Sequence, residues 1–236
     1  MADRSYSADM FAGVSIYGRA TKHEVRTVAP VLAVVIAAWG LMVVWPMRHD
    51  FTGFVYGWAL MSAAMMVPTV LRPMQRIAMG QAARAWQFTL GYVIVWSLVS
   101  LPAWLVVSFG PTTPMAIALM WVATGTYMQL PAVLRSFHSC KAIKTSAQPL
   151  GAGVRQGVAC AVGCAPLMVM AMVTVMALSL PPLAVGAAMF AVMLLMVWQK
   201  SPSRSEVALR SVGLVLIAAG AVLAVGGDFA THPHVT

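Results

Sequence analysis

Sulfur recurs at every fourth position along one apolar stretch of the chain: Cys160, Cys164, Met168, Met172 and Met176. Residues i and i+4 share a helix face, so in a helix these side chains form a slowly winding ladder about 24 Å long at about 1.5 Å rise per residue. Thiolates and thioethers are soft ligands that select Cu(I) over Mg, Ca or Mn. Soft-metal binding is therefore the chemistry this spacing points to, and copper the metal. Met61, Met65 and Met66 in an earlier apolar stretch, and Met189, Met193 and Met196 in a later one, are candidates to face the ladder. The third cysteine, Cys140, stands two residues after His138 in a basic segment. If that segment and the start of the Cys160 helix share one side of a membrane, Cys140, Cys160 and Cys164 form a trigonal sulfur site, with His138 as a candidate fourth ligand.

A blander reading competes with this one. Methionine is a flexible hydrophobe that fills membrane bundles without binding anything, and a buried cysteine is often inert. Two cysteines on the face that carries the methionines weigh toward metal, because cysteine is the ligand that fixes a soft-metal site. A weaker group, Met47 and His49 with Asp228, His232 and His234, suggests a second copper contact at the opposite end of the molecule, against the default of an exposed polar tail. No carboxylate or histidine constellation of the kind that does acid–base or nucleophilic work falls in the apolar stretches, so no enzymatic activity is expected.

The elements that must position these sulfurs follow from composition. The chain has 236 residues, 61% hydrophobic and 9% charged, against about 45–50% and about 25% in an ordinary soluble domain. Too little polar surface exists to cover a soluble fold, so lipid must. Seven stretches approach the roughly 17–25 apolar residues of a transmembrane helix: 28–45, 54–70, 88–109, 115–134, 157–178, 183–198 and 212–226. Period-2 alternation is absent, which predicts helices and not barrel strands. The expected fold is an all-α polytopic transmembrane bundle of seven spans. A cytoplasmic segment occupies residues 1–27, the helical domain 28–227 and an outer tail 228–236. No short apolar segment is followed by a small-residue cleavage site, so no signal peptide is expected.

Orientation follows from the basic residues. Arg4, Arg19, Lys22 and Arg26, then Arg72, Arg76 and Arg84, then Arg135, Lys141, Lys144 and Arg155, then Lys200, Arg204 and Arg210 all fall on one side of a seven-span arrangement; Arg48 alone falls on the other. Positive charge is retained in the cytoplasm, which places the N-terminus inside and the C-terminus outside. A net charge of +9 scattered in this way between apolar runs forms no stripe for nucleic acid. Four prolines, Pro68, Pro102, Pro131 and Pro166, lie in or near the spans, and each frees the carbonyl four residues earlier for a neighbouring helix or a ligand to satisfy.

Trp58, Met61, Ala64, Met65, Met66 and Pro68 read as W-x-x-M-x-x-A-M-M-x-P, which resembles the signature of the bacterial predicted metal-binding integral membrane proteins. The resemblance continues through Gly91, Tyr92 and Trp96, through Tyr127, Pro131 and Cys140, and through Gly157, Cys160, Cys164, Leu167 and Met168 to Lys200, covering about residues 54–200. A member of that family is associated with maturation of a copper-containing oxidase and relatives are commonly labelled copper chaperones, so the resemblance implies copper delivery here. Three positions depart from the pattern: Ser136 and Gly163 stand where the family has cysteines, and Gln199 where it has Glu.

The expectation is an accessory protein of the bacterial cytoplasmic (inner) membrane, not an enzyme, that binds Cu(I) through Cys140, Cys160 and Cys164. Met65, Met66, Met168 and Met172 would hold or relay the ion, and His138 would assist. Its partners would be the lipid bilayer and a copper-dependent membrane or periplasmic enzyme. The alternative is a structural subunit of such an enzyme complex that binds no metal.

Overall fold

The computed structural model describes residues 22–44, 50–110, 113–139, 148–178, 180–200 and 205–225, and among these there is no strand. The helices are α1 (Lys22–Val44), α2 (Phe51–Met66), a 3-10 turn (Val67–Val70), α3 (Leu71–Ala78), α4 (Ala82–Phe109), α5 (Pro114–Gln129), α6 (Pro131–Ser139), α7 (Pro149–Ala177), α8 (Pro182–Gln199) and α9 (Ser205–Val225). The all-α expectation is met. Four stretches are long and apolar enough to cross a membrane: Phe51–Ala78, Ala82–Phe109, Pro149–Ala177 and Glu206–Val225. Ala29–Met42 and Leu183–Gln199 are shorter apolar helices.

The expected fourth span, 115–134, is divided. Leu130 adopts ψ 134, which ends α5 at Gln129, and α6 restarts at Pro131. Proline disfavours the helical conformation of the residue before it, and that is the physical reason for the break. The 16 residues of α5 reach only about 24 Å, short of a hydrocarbon layer of about 30 Å. Elsewhere the helices begin earlier than the apolar runs suggest. Helix α7 starts at Pro149, ahead of Gly157, because Arg155 and Gln156 continue a helix as readily as apolar residues do.

Local chemistry sets the helix starts. Asp50 Oδ2 accepts from the Gly53 N–H at 3.0 Å, Thr113 Oγ1 accepts from the Ala116 N–H at 3.2 Å, and Pro114, Pro149 and Pro182 occupy first turns where a missing N–H costs nothing. Helix α3 closes on Met79, at φ 46, followed by Gly80 at φ 80, and this turn folds α4 back against α3.

Two helix pairs are seamed by glycine. Between α4 and α7, a Cβ on Gly91 would collide with the Leu150 carbonyl and one on Gly153 with the Phe88 carbonyl. Between α5 and α9, Gly125 faces the Gly213 carbonyl, and a Cβ on Gly220 would lie 2.7 Å from the Ala118 carbonyl. Lipid gives apolar side chains no reason to leave it, so helices in a membrane associate by close packing of small residues. The core between the helices is rich in sulfur and aromatics: Trp58, Met61, Met65, Met66, Met74, Phe88, Tyr92, Trp96, Met168 and Met172 are all buried. The outside is apolar too, with Ile36, Leu98, Phe109, Leu183 and Val222 exposed. An outer surface of this kind suits lipid and not water.

Two of the four prolines show how the freed carbonyls are satisfied. Pro68 leaves the Ala64 carbonyl without a helical donor, and Trp39 Nε1 donates to it at 3.1 Å. Pro166 does the same to the Val162 carbonyl, which accepts from the Tyr127 hydroxyl at 2.9 Å. Each kink thus ties its helix to a neighbour, α1 in the first case and α5 in the second.

Candidate metal centre

Cys160 and Cys164 occupy successive turns of α7, are in no disulfide and are buried, at 0% and 1% exposure. Met168 and Met172 continue their face and are also buried, but Met176 is 36% exposed. The expected ladder therefore ends at Met172. A four-residue step overshoots the 3.6-residue turn by about 40°, so after four steps the face has turned by about 160° and Met176 looks outward. Met61, Met65 and Met66 on α2, and Met189, Met193 and Met196 on α8, are buried in the same core.

Two side chains from two other elements donate to Cys160, and a third, Thr69, holds one of them. The Tyr92 hydroxyl of α4 donates to Cys160 Sγ at 3.0 Å. Lys200 Nζ, at the end of α8, donates to the same sulfur at 2.8 Å and to Thr69 Oγ1 at 2.7 Å. Thr69 in turn donates to the Met66 carbonyl at 2.7 Å. Each of these groups is held in place. The Tyr92 ring lies between Phe88 and Trp96, with centroids 6.5 Å away on both sides, and the Trp96 carbonyl accepts from Trp58 Nε1 at 2.9 Å. Thr69 is presented by the 3-10 turn in which Pro68 sits in the first turn. The run from Trp58 to Pro68 thus has a physical sense: Trp58 anchors α2 to α4, Met65 and Met66 line the core, and the proline turn offers the hydroxyl that holds Lys200.

The Cys160 sulfur accepts both a hydroxyl and an ammonium donor. Two thiols one turn apart, opening onto buried thioethers, suit a soft monovalent ion that accepts few ligands. Among the described residues no group of three or more His, Cys, Asp or Glu comes together. Cys140 lies outside the described residues, as do Met47, His49, Asp228, His232 and His234 and the side chain of His138. Ser136, where the resemblance has a cysteine, donates from Oγ to the Ala159 carbonyl at 3.0 Å, which brings position 136 beside Cys160. Gly163, at the other departure, is buried on α7. Gln199 is 1% exposed, with neither its Nε2 nor its Oε1 hydrogen-bonded.

Lys200 as a contact of Cys160, and Thr69 as the group that holds Lys200, escape a reading of sulfur spacing. The available signals are the proline that re-aims residue 69 and the lone lysine closing an apolar helix.

With this geometry in view, the chain is a helical protein whose interior gathers two cysteines and several methionines. The PpoB2 family model, described as copper chaperone, matches residues 55–223. The chain belongs to that family. No curated protein and no solved structure matches it.

Proposed function

We propose that this protein is a copper-handling accessory of the bacterial inner membrane, which takes Cu(I) as cargo at Cys160 and Cys164 and passes it to a copper-dependent membrane or periplasmic enzyme. The observation that carries the reading is the buried thiol pair opening onto the buried methionines Met168 and Met172. Thiolates anchor the ion, and thioethers, which bind more weakly, line its way out. Cys140 supplies a third thiol from the basic segment, with His138 beside it, and Met65 and Met66 complete the sulfur lining. No covalent chemistry is required of the protein.

The same reading gives the chain seven spans, with the N-terminus in the cytoplasm and the C-terminus outside, since fourteen of the fifteen basic residues then lie on the retained side. A periplasmic reporter fused after Thr236 should be active, and one inserted in the Arg135–Arg155 segment inactive.

The functional test is competition of purified protein against a Cu(I) chelator. Wild type should bind Cu(I) in preference to Zn(II), and the triple Cys140→Ser, Cys160→Ser, Cys164→Ser variant should lose the tight component. Equal affinity in the two proteins would remove the thiol site and give the lead to a scaffold subunit that binds no metal.

A further inference from the structure

The Tyr92 hydroxyl gives its proton to sulfur. It donates to Cys160 Sγ at 3.0 Å, and the whole residue is buried. Sulfur is a weaker acceptor than a carbonyl oxygen, and Tyr127 in the same chain donates to a carbonyl, that of Val162. Acceptor strength therefore does not explain where the Tyr92 hydroxyl points; the packing does. Its ring is flanked by Phe88 and Trp96. Helices α4 and α7 touch just beside the bond: a Cβ on Gly157, three residues before Cys160, would lie 3.2 Å from the Tyr92 carbonyl. The phenol cannot swing to another acceptor without opening this seam.

Groups that hydrogen-bond to a metal ligand tune its hold on the metal: an acceptor behind a metal-bound histidine makes that ligand more basic. A donor on a metal-bound sulfur acts in the opposite sense, because it draws electron density from the lone pairs that bind the metal and weakens the metal–sulfur bond. We propose that Tyr92 tunes release: its hydroxyl, held against Cys160 Sγ, loosens the grip of this sulfur on copper, so that the ion can be handed on. The inference rests on the copper reading of Cys160 and goes beyond it, since a buried thiol pair by itself specifies tight binding and says nothing of how the ion leaves. Tyr92 acts through the ligand and does not touch the ion. Lys200 Nζ donates to the same sulfur at 2.8 Å and pulls in the same direction. Tyr92 is the cleaner of the two to alter, because replacing a neutral phenol leaves the charge of the site as it was.

The experiment loads full-length protein in detergent with one equivalent of Cu(I) and mixes it, by stopped flow, with a large excess of a Cu(I) chelator. Tyr92→Phe keeps the ring between its neighbours and removes only the donor. Release from Tyr92→Phe should be about ten-fold slower than from wild type. A merely structural role predicts the other sign, since a site that has lost packing lets go sooner. Unchanged or faster release in Tyr92→Phe therefore overturns the proposal. A second variant, Tyr92→3-fluorotyrosine, differs little in size, and ring fluorine makes its hydroxyl the stronger donor. Its release should be about two-fold faster than wild type, and a rate at or below that of wild type overturns the proposal even where Tyr92→Phe does not fold. Tight Cu(I) binding in wild type with a release rate indifferent to residue 92 removes the role of Tyr92 and leaves the copper site standing. Absence of tight Cu(I) binding in wild type overturns the copper reading and this inference together.

Discussion

The pairs α4–α7 and α5–α9 are built by the same device and do different things. In both, glycines let two helices approach until one backbone meets the other. The first pair carries Tyr92 and Cys160 in contact at its seam. The second carries a polar link from Gln129 Nε2 to the Arg210 carbonyl at 3.0 Å, and no cysteine of the described residues lies on it. What separates them is a third party. The Pro68 turn and the end of α8 bring Thr69 and Lys200 to the first pair. Close packing supplies a rigid frame, and chemistry appears only where other elements deliver complementary side chains to it.

Breaking each seam is the strongest test of that contrast. Gly153→Leu on α7 and Gly220→Leu on α9 both force side chains into a neighbouring backbone, and each should cost about 3 kcal/mol or more. Only Gly153→Leu should also abolish Cu(I) binding in the protein that remains folded. Thermal unfolding in detergent, paired with chelator competition on the folded fraction, separates the two effects.

A gain of function sharpens the comparison further. Ser136 already reaches the Ala159 carbonyl beside Cys160, so Ser136→Cys should add a third thiolate and tighten Cu(I) binding about ten-fold. The matching change in the second pair, Thr124→Cys at a buried position of α5, should leave affinity unchanged in the same titration.

Smaller effects are expected from the ties at the proline kinks. Trp39→Phe leaves the Ala64 carbonyl without its donor and should lower stability by about 1–2 kcal/mol, the usual cost of a buried orphan. Because Ala64 lies just ahead of the turn that presents Thr69, copper affinity should fall with it. Tyr127→Phe, whose bond to Val162 is exposed, should cost less, about 0.5–1 kcal/mol. Its affinity for copper should not change. Denaturant titration and chelator competition on both variants check this pair.

Met168→Leu and Met172→Leu conserve volume and apolarity and should cost under about 1.5 kcal/mol each. Copper stoichiometry should stay that of wild type while release to a chelator slows or quickens, which a stopped-flow transfer assay reads directly.

Much of the site was legible along one helix. Cys160, Cys164, Met168 and Met172 share a face because helical periodicity is a local property, and the same periodicity carries Met176 off that face. The apolar runs announced helices because backbone groups in lipid must bond within their own segment. Pro68 and Pro166 announced freed carbonyls. The glycines that seam the helix pairs were less legible. Gly220 is one of several small residues in the apolar runs, and it lies where a Cβ would meet the Ala118 carbonyl. Spacing says which residues are small, not which helix comes near them.

The sequence by itself determined the solvent, the helices and the face that bears sulfur, since composition and period depend only on residues near one another along the chain. The tertiary structure alone decided what that face meets. Tyr92 lies 68 positions from Cys160, Lys200 lies 40 positions from it, and Lys200 and Thr69 are 131 positions apart. No periodicity spans such distances. They are set by which helices pack together, by the break at Leu130 and by the turn at Pro68, and these place one ammonium against one buried thiol.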